Sequence, residues 1–194
     1  MTAAATIIEQ WPQQAREAAR RVLGTYGEPH EATEQALVWH RVGPWKRIVA
    51  SREVWRHNFP APHTDSVQCV LDYPVPFPMY SALAQFNGSV VVERTTGEVS
   101  ARCQDEQADL LALNLMHDIV TGARSPDQAR DYYTKEFLDA HRGKSTPYRD
   151  RLRFDPKPAP DPDEPLISDS ELAAAVAEGS GNPAAANAES PRTT

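Results

Sequence analysis

The sequence predicts an α+β domain in which an antiparallel sheet of about five strands packs against an N-terminal helix and two C-terminal helices, with a disordered tail behind it. Three observations predict this. Apolar residues recur with helical spacing near the N-terminus and again after residue 105, strand-like alternation fills the middle, and prolines and acidic residues dominate the end. We therefore expect one domain at residues 1–154 and a Pro/Ala/acidic tail at residues 155–194.

The N-terminal helix is predicted from about Pro12 to Gly24. Five residues form one apolar stripe on it at helical spacing: Ala15, Ala18, Ala19, Val22 and Leu23. Glycines end this helix and Pro29 prevents it from continuing. One amphipathic helix should therefore cover the sheet from the N-terminal side.

The strands are predicted from short β-rich runs separated by turn residues. They cover residues 36–40, 45–53, 66–73, 90–94 and 99–103. Gly43-Pro44 marks the first turn and Thr96-Gly97 the last. A two-residue loop at the last turn would place Glu93 opposite Ser100. The proline-rich segment at residues 59–62 should cross between strands.

Two helices are predicted after the last strand. The first runs from Asp105 to Thr121 and has apolar residues on several sides, so we expect it to be deeply buried. The second begins at Ser125, whose hydroxyl is placed to cap it, with Gln128 completing a capping box. The tail that follows is rich in proline and like charges, which keep a chain extended, with one short helix possible at residues 168–178.

Composition excludes several classes of protein. The 194 residues include 20 Lys and Arg against 27 Asp and Glu, for a net charge of −7. Nucleic acid is therefore not a favoured partner, because phosphate binding needs a basic field. No apolar run reaches the roughly 18 residues that span a bilayer. Two cysteines are too few for a disulfide framework, so we expect a cytoplasmic protein without membrane contact.

One stretch, residues 39–65, carries most of the side chains that can do chemistry. A ligand-binding surface is predicted there, made of the residues Trp39, His40, Trp45, Lys46 and Arg47. Aromatic rings interleaved with cations can hold a small anionic ligand or a protein partner. The alternative is that the tryptophans lie in the core while the cations are solvated or paired, because successive strand residues face opposite sides.

A second hypothesis is a divalent metal site, with zinc or iron as the cofactor. Its predicted ligands are His57, His63, Asp65 and the distant His117, with Cys69 as a further candidate. Two histidines and one carboxylate are the donor set of ferrous oxygenases, although those enzymes use a barrel of about eight strands. The alternative is that these histidines each make a single hydrogen bond at a turn or surface. No nucleophile elbow or phosphate loop is present in the sequence, so the catalytic residues stay unknown.

Several short motifs resemble those of an uncharacterised family of small bacterial α+β proteins. The motifs are Trp39-His40, Gly43-Pro44-Trp45-Lys46, His57-Asn58-Phe59-Pro60, Pro62-His63-Thr64-Asp65 and His117-Asp118-Ile119. The resemblance covers roughly residues 13–142 and implies no activity. Two functions are therefore predicted as alternatives: a non-catalytic binding or accessory domain that uses the Trp/Arg/His surface, and a metal-dependent hydrolase or oxygenase-like enzyme. Whether the protein is an enzyme is left open at this point.

Overall fold

The structure, a computed structural model, describes residues 3–179, and the chain divides into two compact units, Met1–Asp161 and Pro162–Thr194. The helices of the first unit are α1 (Ala3–Ile8), α2 (Gln13–Tyr26), α3 (Tyr80–Phe86), α4 (Glu106–Val120) and α5 (Pro126–His141). Its strands are β1 (Glu31–Ala32), β2 (Ala36–Val42), β3 (Trp45–His57), β4 (His63–Asp72), β5 (Val90–Glu93) and β6 (Glu98–Cys103). Among the described residues, no helix has both the length and the apolar character needed to cross a membrane.

The six strands form one antiparallel sheet in the order β1-β2-β3-β4-β6-β5. The predicted α+β class and antiparallel sheet are confirmed. The strand beyond the expected five is β1, which has two residues and lies at the sheet edge. The β5–β6 register also differs from the prediction, since Val91 lies opposite Ser100 and Glu93 opposite Glu98. The connecting loop has four residues, with Gly97 at φ +64°, rather than two.

Helices α2 and α4 pack against the sheet and enclose the core. Helix α2 contacts β3 and β4, while α4 contacts β4, β6 and α5. On β4, Val67, Cys69 and Leu71 are all fully enclosed on the side that faces the helices, and Val70 on the other side is also buried. Helix α4 is buried on several sides, as its sequence predicts. The predicted capping box is present at Ser125 and Gln128.

A segment without regular structure, the strap (residues 144–161), extends the first unit beyond the predicted boundary at residue 154. Asn114 of α4 holds it in place: its Nδ2 donates to the carbonyl oxygens of Tyr148 and Arg151 at 2.9 and 2.8 Å, and its Oδ1 accepts from the Arg153 N–H at 2.8 Å. Further along, the Lys157 N–H donates to the Asp72 carbonyl at 2.9 Å. The compact unit accordingly ends at Asp161.

In the described part of the second unit, residues 162–179, there is one helix, α6 (Asp169–Gly179), in the region where the sequence allows a short helix. Ser168 and Glu171 form a reciprocal cap: the Ser168 N–H donates to Glu171 Oε2 at 2.8 Å, and the Glu171 N–H donates to Ser168 Oγ at 3.3 Å. No residue of α6 is buried. The predicted disorder of the tail also concerns residues 180–194, which lie outside the described residues.

Candidate metal centre

The turn between β3 and β4 brings two histidines and an aspartate together. Strand β3 ends at His57 and β4 begins at His63, and these two residues lie directly opposite each other. Asp65 is two residues further along β4, so alternation puts it on the same side as His63. The five connecting residues include Pro60 and Pro62, which cannot donate to the sheet ladder. The strand pairing therefore ends at the histidines.

The three side chains are close enough to share one ion. His57 Nδ1 lies 3.2 Å from Asp65 Oδ2, and His63 Nε2 lies 3.0 Å from Asp65 Oδ1. One ligand atom from each residue lies within 4.8 Å of the other two. Ligands at about 2.0–2.1 Å from a metal ion are about 3.0 Å apart in an octahedron and about 3.3 Å apart in a tetrahedron. The separation of His63 Nε2 from Asp65 Oδ1 lies in this range, whereas His57 Nδ1 is 3.2 Å from the other oxygen of Asp65.

The charges at the site stabilise one another. Burial raises the pKa of Asp65, which is 2% exposed, but hydrogen bonding and attraction to His57 and His63 outweigh it, so the pKa is lowered. Hydrogen bonding to Asp65 raises the pKa of His63 more strongly than burial lowers it. Asp65 is therefore held in its ionised form, which is the form that binds a cation.

One oxygen of this carboxylate has no hydrogen bond. Asp65 Oδ1 is buried and accepts none from the described residues, although His63 Nε2 is only 3.0 Å away. The contact is close enough for an ion pair, which raises the pKa of His63, but it does not have the geometry of an aligned hydrogen bond. Buried polar atoms normally have partners, so Oδ1 has the character of a ligand atom.

The ring of His63 is oriented by the backbone. Its Nδ1 lies 2.7 Å from the carbonyl oxygen of Ala61, and since a carbonyl only accepts, Nδ1 carries the proton. Loss of the proton on Nε2 would therefore leave a neutral ring whose Nε2 lone pair already faces the site. Metal-ligating histidines are commonly oriented by such a contact.

Ser89 is a fourth member of the site that the sequence reasoning missed. Its Oγ donates to Asp65 Oδ2 at 3.0 Å and lies 3.2 Å from His57 Nδ1. Asn87 holds the turn before it, since Asn87 Oδ1 accepts from the Ser89 N–H at 2.9 Å. The only local signal was Asn-Gly-Ser, a turn sequence, and nothing in it points to residues 57–65.

Ser89, His57 and Asp65 are the residue types of a serine-hydrolase triad, but their arrangement is different. In such a triad one ring nitrogen faces the serine and the other faces the aspartate. Here the same nitrogen, His57 Nδ1, lies 3.2 Å from both groups, and the serine donates directly to the aspartate. This geometry cannot pass a proton from the serine through the imidazole, so it favours ion binding.

A polar groove of about 320 Å³ adjoins the site. His63, Thr64 and Ser66 form one wall, and residues of α2 and of the β6–α4 junction form the rest: Gln14, Glu17, Ala18, Arg21, Gln104 and Asp105. No large apolar side chain lines it. Three protein ligands leave coordination positions open on an ion, and the groove gives water or a small polar molecule a place beside His63.

His117 does not join the other predicted ligands. It lies near the C-terminal end of α4, where its Nδ1 is 2.8 Å from the hydroxyl of Tyr73 and its ring stacks on Phe154 at 4.5 Å. Tyr73 follows the last residue of β4, whereas His63 is the first, about 30 Å away along the strand. Burial lowers the pKa of His117 despite the nearby charge of Asp118. The described residues that could hold an ion together are therefore His57, His63 and Asp65.

The five residues of the predicted ligand surface do not form one exposed surface in the structure, although His40 lies directly opposite Arg47. Trp39 is fully buried with its Nε1 donating to the Gly27 carbonyl at 2.9 Å, and Trp45 is 2% exposed with its Nε1 donating to Glu106 at 2.7 Å. The other three are paired with carboxylates: Lys46 with Asp72 and Glu98, Arg47 with Glu98, and His40 with Glu31. The tryptophans are core residues and the cations are paired with carboxylates. This arrangement is the alternative that the sequence left open.

Cys69, the further candidate ligand, lies in the core. It is fully buried, as is Cys103 on the neighbouring strand, and neither forms a disulfide. Burial raises the pKa of both thiols, and the nearby Asp109 raises it further. Cys69 is thus a neutral packing residue and contributes nothing to the group formed by His57, His63 and Asp65.

Comparison of the whole chain with family models, with curated proteins and with solved structures gave no match. The function of the chain must therefore be argued from its own geometry.

Proposed function

We propose that the protein binds one divalent transition-metal ion through His57, His63 and Asp65. The observation that carries the proposal is Asp65 itself: a carboxylate that is 2% exposed, lies between two imidazole nitrogens at 3.2 and 3.0 Å, and has one oxygen without a hydrogen bond. An ion placed among these atoms would compensate the buried charge and complete the coordination of Oδ1.

The donor set favours zinc, iron or a neighbouring ion of the same row. Imidazole nitrogen suits these ions, whereas Mg²⁺ and Ca²⁺ prefer oxygen ligands. The ring of His63, held by Ala61, offers Nε2 without rearrangement. Binding would displace the protons that the metal-free site holds, so we expect affinity to fall in acid.

The chemistry that best fits such an ion is water activation. Three protein ligands leave positions for water, and zinc lowers the pKa of bound water to about 7. The groove beside His63 is polar and small, which suits a hydrophilic substrate. Hydrolysis needs no redox partner, and the ligands lie on two neighbouring strands of an open sheet rather than in an oxygenase barrel. The proposed activity is therefore hydrolytic.

We place this activity in the bacterial cytoplasm. The bacterial origin rests on the motif resemblance, and the reducing compartment is supported by Cys69 and Cys103, two free thiols on adjacent strands.

The test is metal analysis of tag-free protein. After reconstitution with Zn²⁺ and removal of excess ion, we expect about one ion per chain in the wild type and loss of most of it in His63→Ala. His117→Ala and the exposed His141→Ala are matched controls, since neither residue belongs to the site, and both should keep the metal. A wild type that retains no ion, or a His63→Ala variant that binds as well as wild type, would overturn the proposal.

A further inference from the structure

The two oxygens of Asp65 differ in their surroundings. Oδ2 accepts a hydrogen bond from Ser89 Oγ at 3.0 Å and lies 3.2 Å from His57 Nδ1. Oδ1 faces His63 Nε2 and has no hydrogen bond. A carboxylate held at one oxygen by a hydroxyl cannot easily turn both oxygens towards the same ion.

We propose that Ser89 is a positioning residue that makes Asp65 a one-oxygen ligand through Oδ1, and that it thereby sets the preference of the site for transition-metal ions over Ca²⁺. This inference rests on the proposed metal binding and adds to it the residue that determines ion selectivity. Transition-metal ions accept a few ligands at short distance. Ca²⁺ takes six to eight oxygens and often uses both oxygens of a carboxylate.

The hydroxyl is held where this role requires it. The Ser89 N–H donates to Asn87 Oδ1 at 2.9 Å, and the Ser89 carbonyl accepts from the Arg102 N–H of β6 at 3.1 Å. Asn87 is 1% exposed, so the turn is fixed in the interior on one side and tied to the sheet on the other. Ser89 is therefore anchored by its backbone and does not depend on Asp65 for its position.

The single proton of the Ser89 hydroxyl supports the assignment of Oδ1 as the ligand atom of Asp65. A serine hydroxyl has one proton to donate, and the carboxylate can only accept, so that proton goes to Asp65 Oδ2. In the metal-free site the lone pairs of Ser89 then remain for the Nδ1–H of His57 at 3.2 Å, a proton that must leave before Nδ1 can bind an ion. When an ion occupies the site, Ser89 can keep its bond to Oδ2 while Oδ1 binds the ion. Hydrogen bonds to ligating carboxylates of this kind commonly change metal affinity 10- to 100-fold.

The experiment titrates Zn²⁺, Co²⁺ and Ca²⁺ into metal-free wild type, Ser89→Ala, and the similarly shaped pair Ser89→Thr and Ser89→Val. We expect Ser89→Ala and Ser89→Val to bind Zn²⁺ roughly 10- to 100-fold more weakly, with a smaller Zn²⁺-to-Ca²⁺ affinity ratio, and Ser89→Thr to restore both quantities. The visible spectrum of bound Co²⁺, which reports coordination number, should change in Ser89→Ala and Ser89→Val only. Ser81→Ala removes an exposed hydroxyl on α3 and should match the wild type throughout.

Thermal unfolding of the metal-free proteins separates this role from a structural one. The Thr and Val variants should unfold at similar temperatures and differ in metal binding. Equal Zn²⁺ affinity and selectivity in wild type, Ser89→Ala and Ser89→Val would overturn the role of Ser89 while leaving metal binding intact. A wild type that binds no ion would overturn the proposed function itself, so the two failures can be told apart.

Discussion

Asp109 of α4 should make the stability of the protein depend strongly on pH. Its side chain is 0% exposed, and neither carboxyl oxygen has a hydrogen bond from the described residues. Burial raises its pKa well above the usual value, and although the thiols of Cys69 and Cys103 lower it, Asp105 and Asp65 raise it further. Asp109 is therefore protonated in the folded protein over a range of pH where it is ionised in the unfolded chain.

The magnitude follows from proton linkage. The folded state binds one more proton than the unfolded state between the unfolded pKa of about 3.9 and the raised folded pKa. Stability from this group is fully present below pH 3.9 and falls by about 1.4 kcal/mol per pH unit above it. The Asp109→Asn variant keeps the shape without the titration. Its advantage over wild type should therefore grow between pH 4.5 and pH 6.5, at about 1.4 kcal/mol per pH unit wherever Asp109 is ionised in the unfolded chain and protonated in the folded protein.

The assay is urea unfolding of both proteins at half-unit steps across that interval, because the difference between them cancels most other titrating groups. Asp65 and Asp105, the nearest charges, are present in both proteins. A constant difference in unfolding free energy across the interval would refute the reasoning, since it would mean that the buried carboxyl titrates as it does in the unfolded chain. Wild type and Asp109→Asn should differ least at the acidic end.

Two further predictions concern contacts that hold the first unit together. Glu98→Gln should lower the unfolding free energy by about 1–3 kcal/mol, because it removes the charge that accepts two hydrogen bonds from Arg47, at 2.9 and 2.6 Å; the exposed Glu93→Gln is the control in urea unfolding. Hydrogen bonding to Arg47 lowers the pKa of Glu98 despite burial. The stability that Glu98 gives the fold is therefore present above about pH 4.5 and is lost as the pH falls, and Glu98→Gln should not show this loss. Asn114→Ala removes three hydrogen bonds and should speed amide exchange in the strap, whereas the exposed Gln107→Ala should not; equal exchange in both variants would show that other contacts hold the strap.

The fold was largely predictable because its signals are local. Helix α4 is predicted by apolar residues on several of its sides, and the capping box at Ser125 predicts the start of α5. The β5–β6 register differs from the prediction because the connection has four residues, and Thr96-Gly97 is only its second half. The compact unit continues past residue 154 to Asp161, and composition cannot report this because it depends on the hydrogen bond from the Lys157 N–H to the Asp72 carbonyl.

The same difference between local signals and long-range packing decides which residues of the site could be predicted. His57, His63 and Asp65 were predictable together because a short turn between paired strands converts nearness in sequence into nearness in space. His117 and Ser89 depend on how distant elements pack, and neither residue type reports that packing. His117 was predicted as a metal ligand but lies near the far end of β4. Ser89 was not predicted as part of the site, but its Oγ lies 3.0 Å from Asp65 Oδ2. A distant donor is therefore better sought by asking which elements pack against the buried carboxylate than by its chemical type, and in this protein the turn before β5 does so through Ser89.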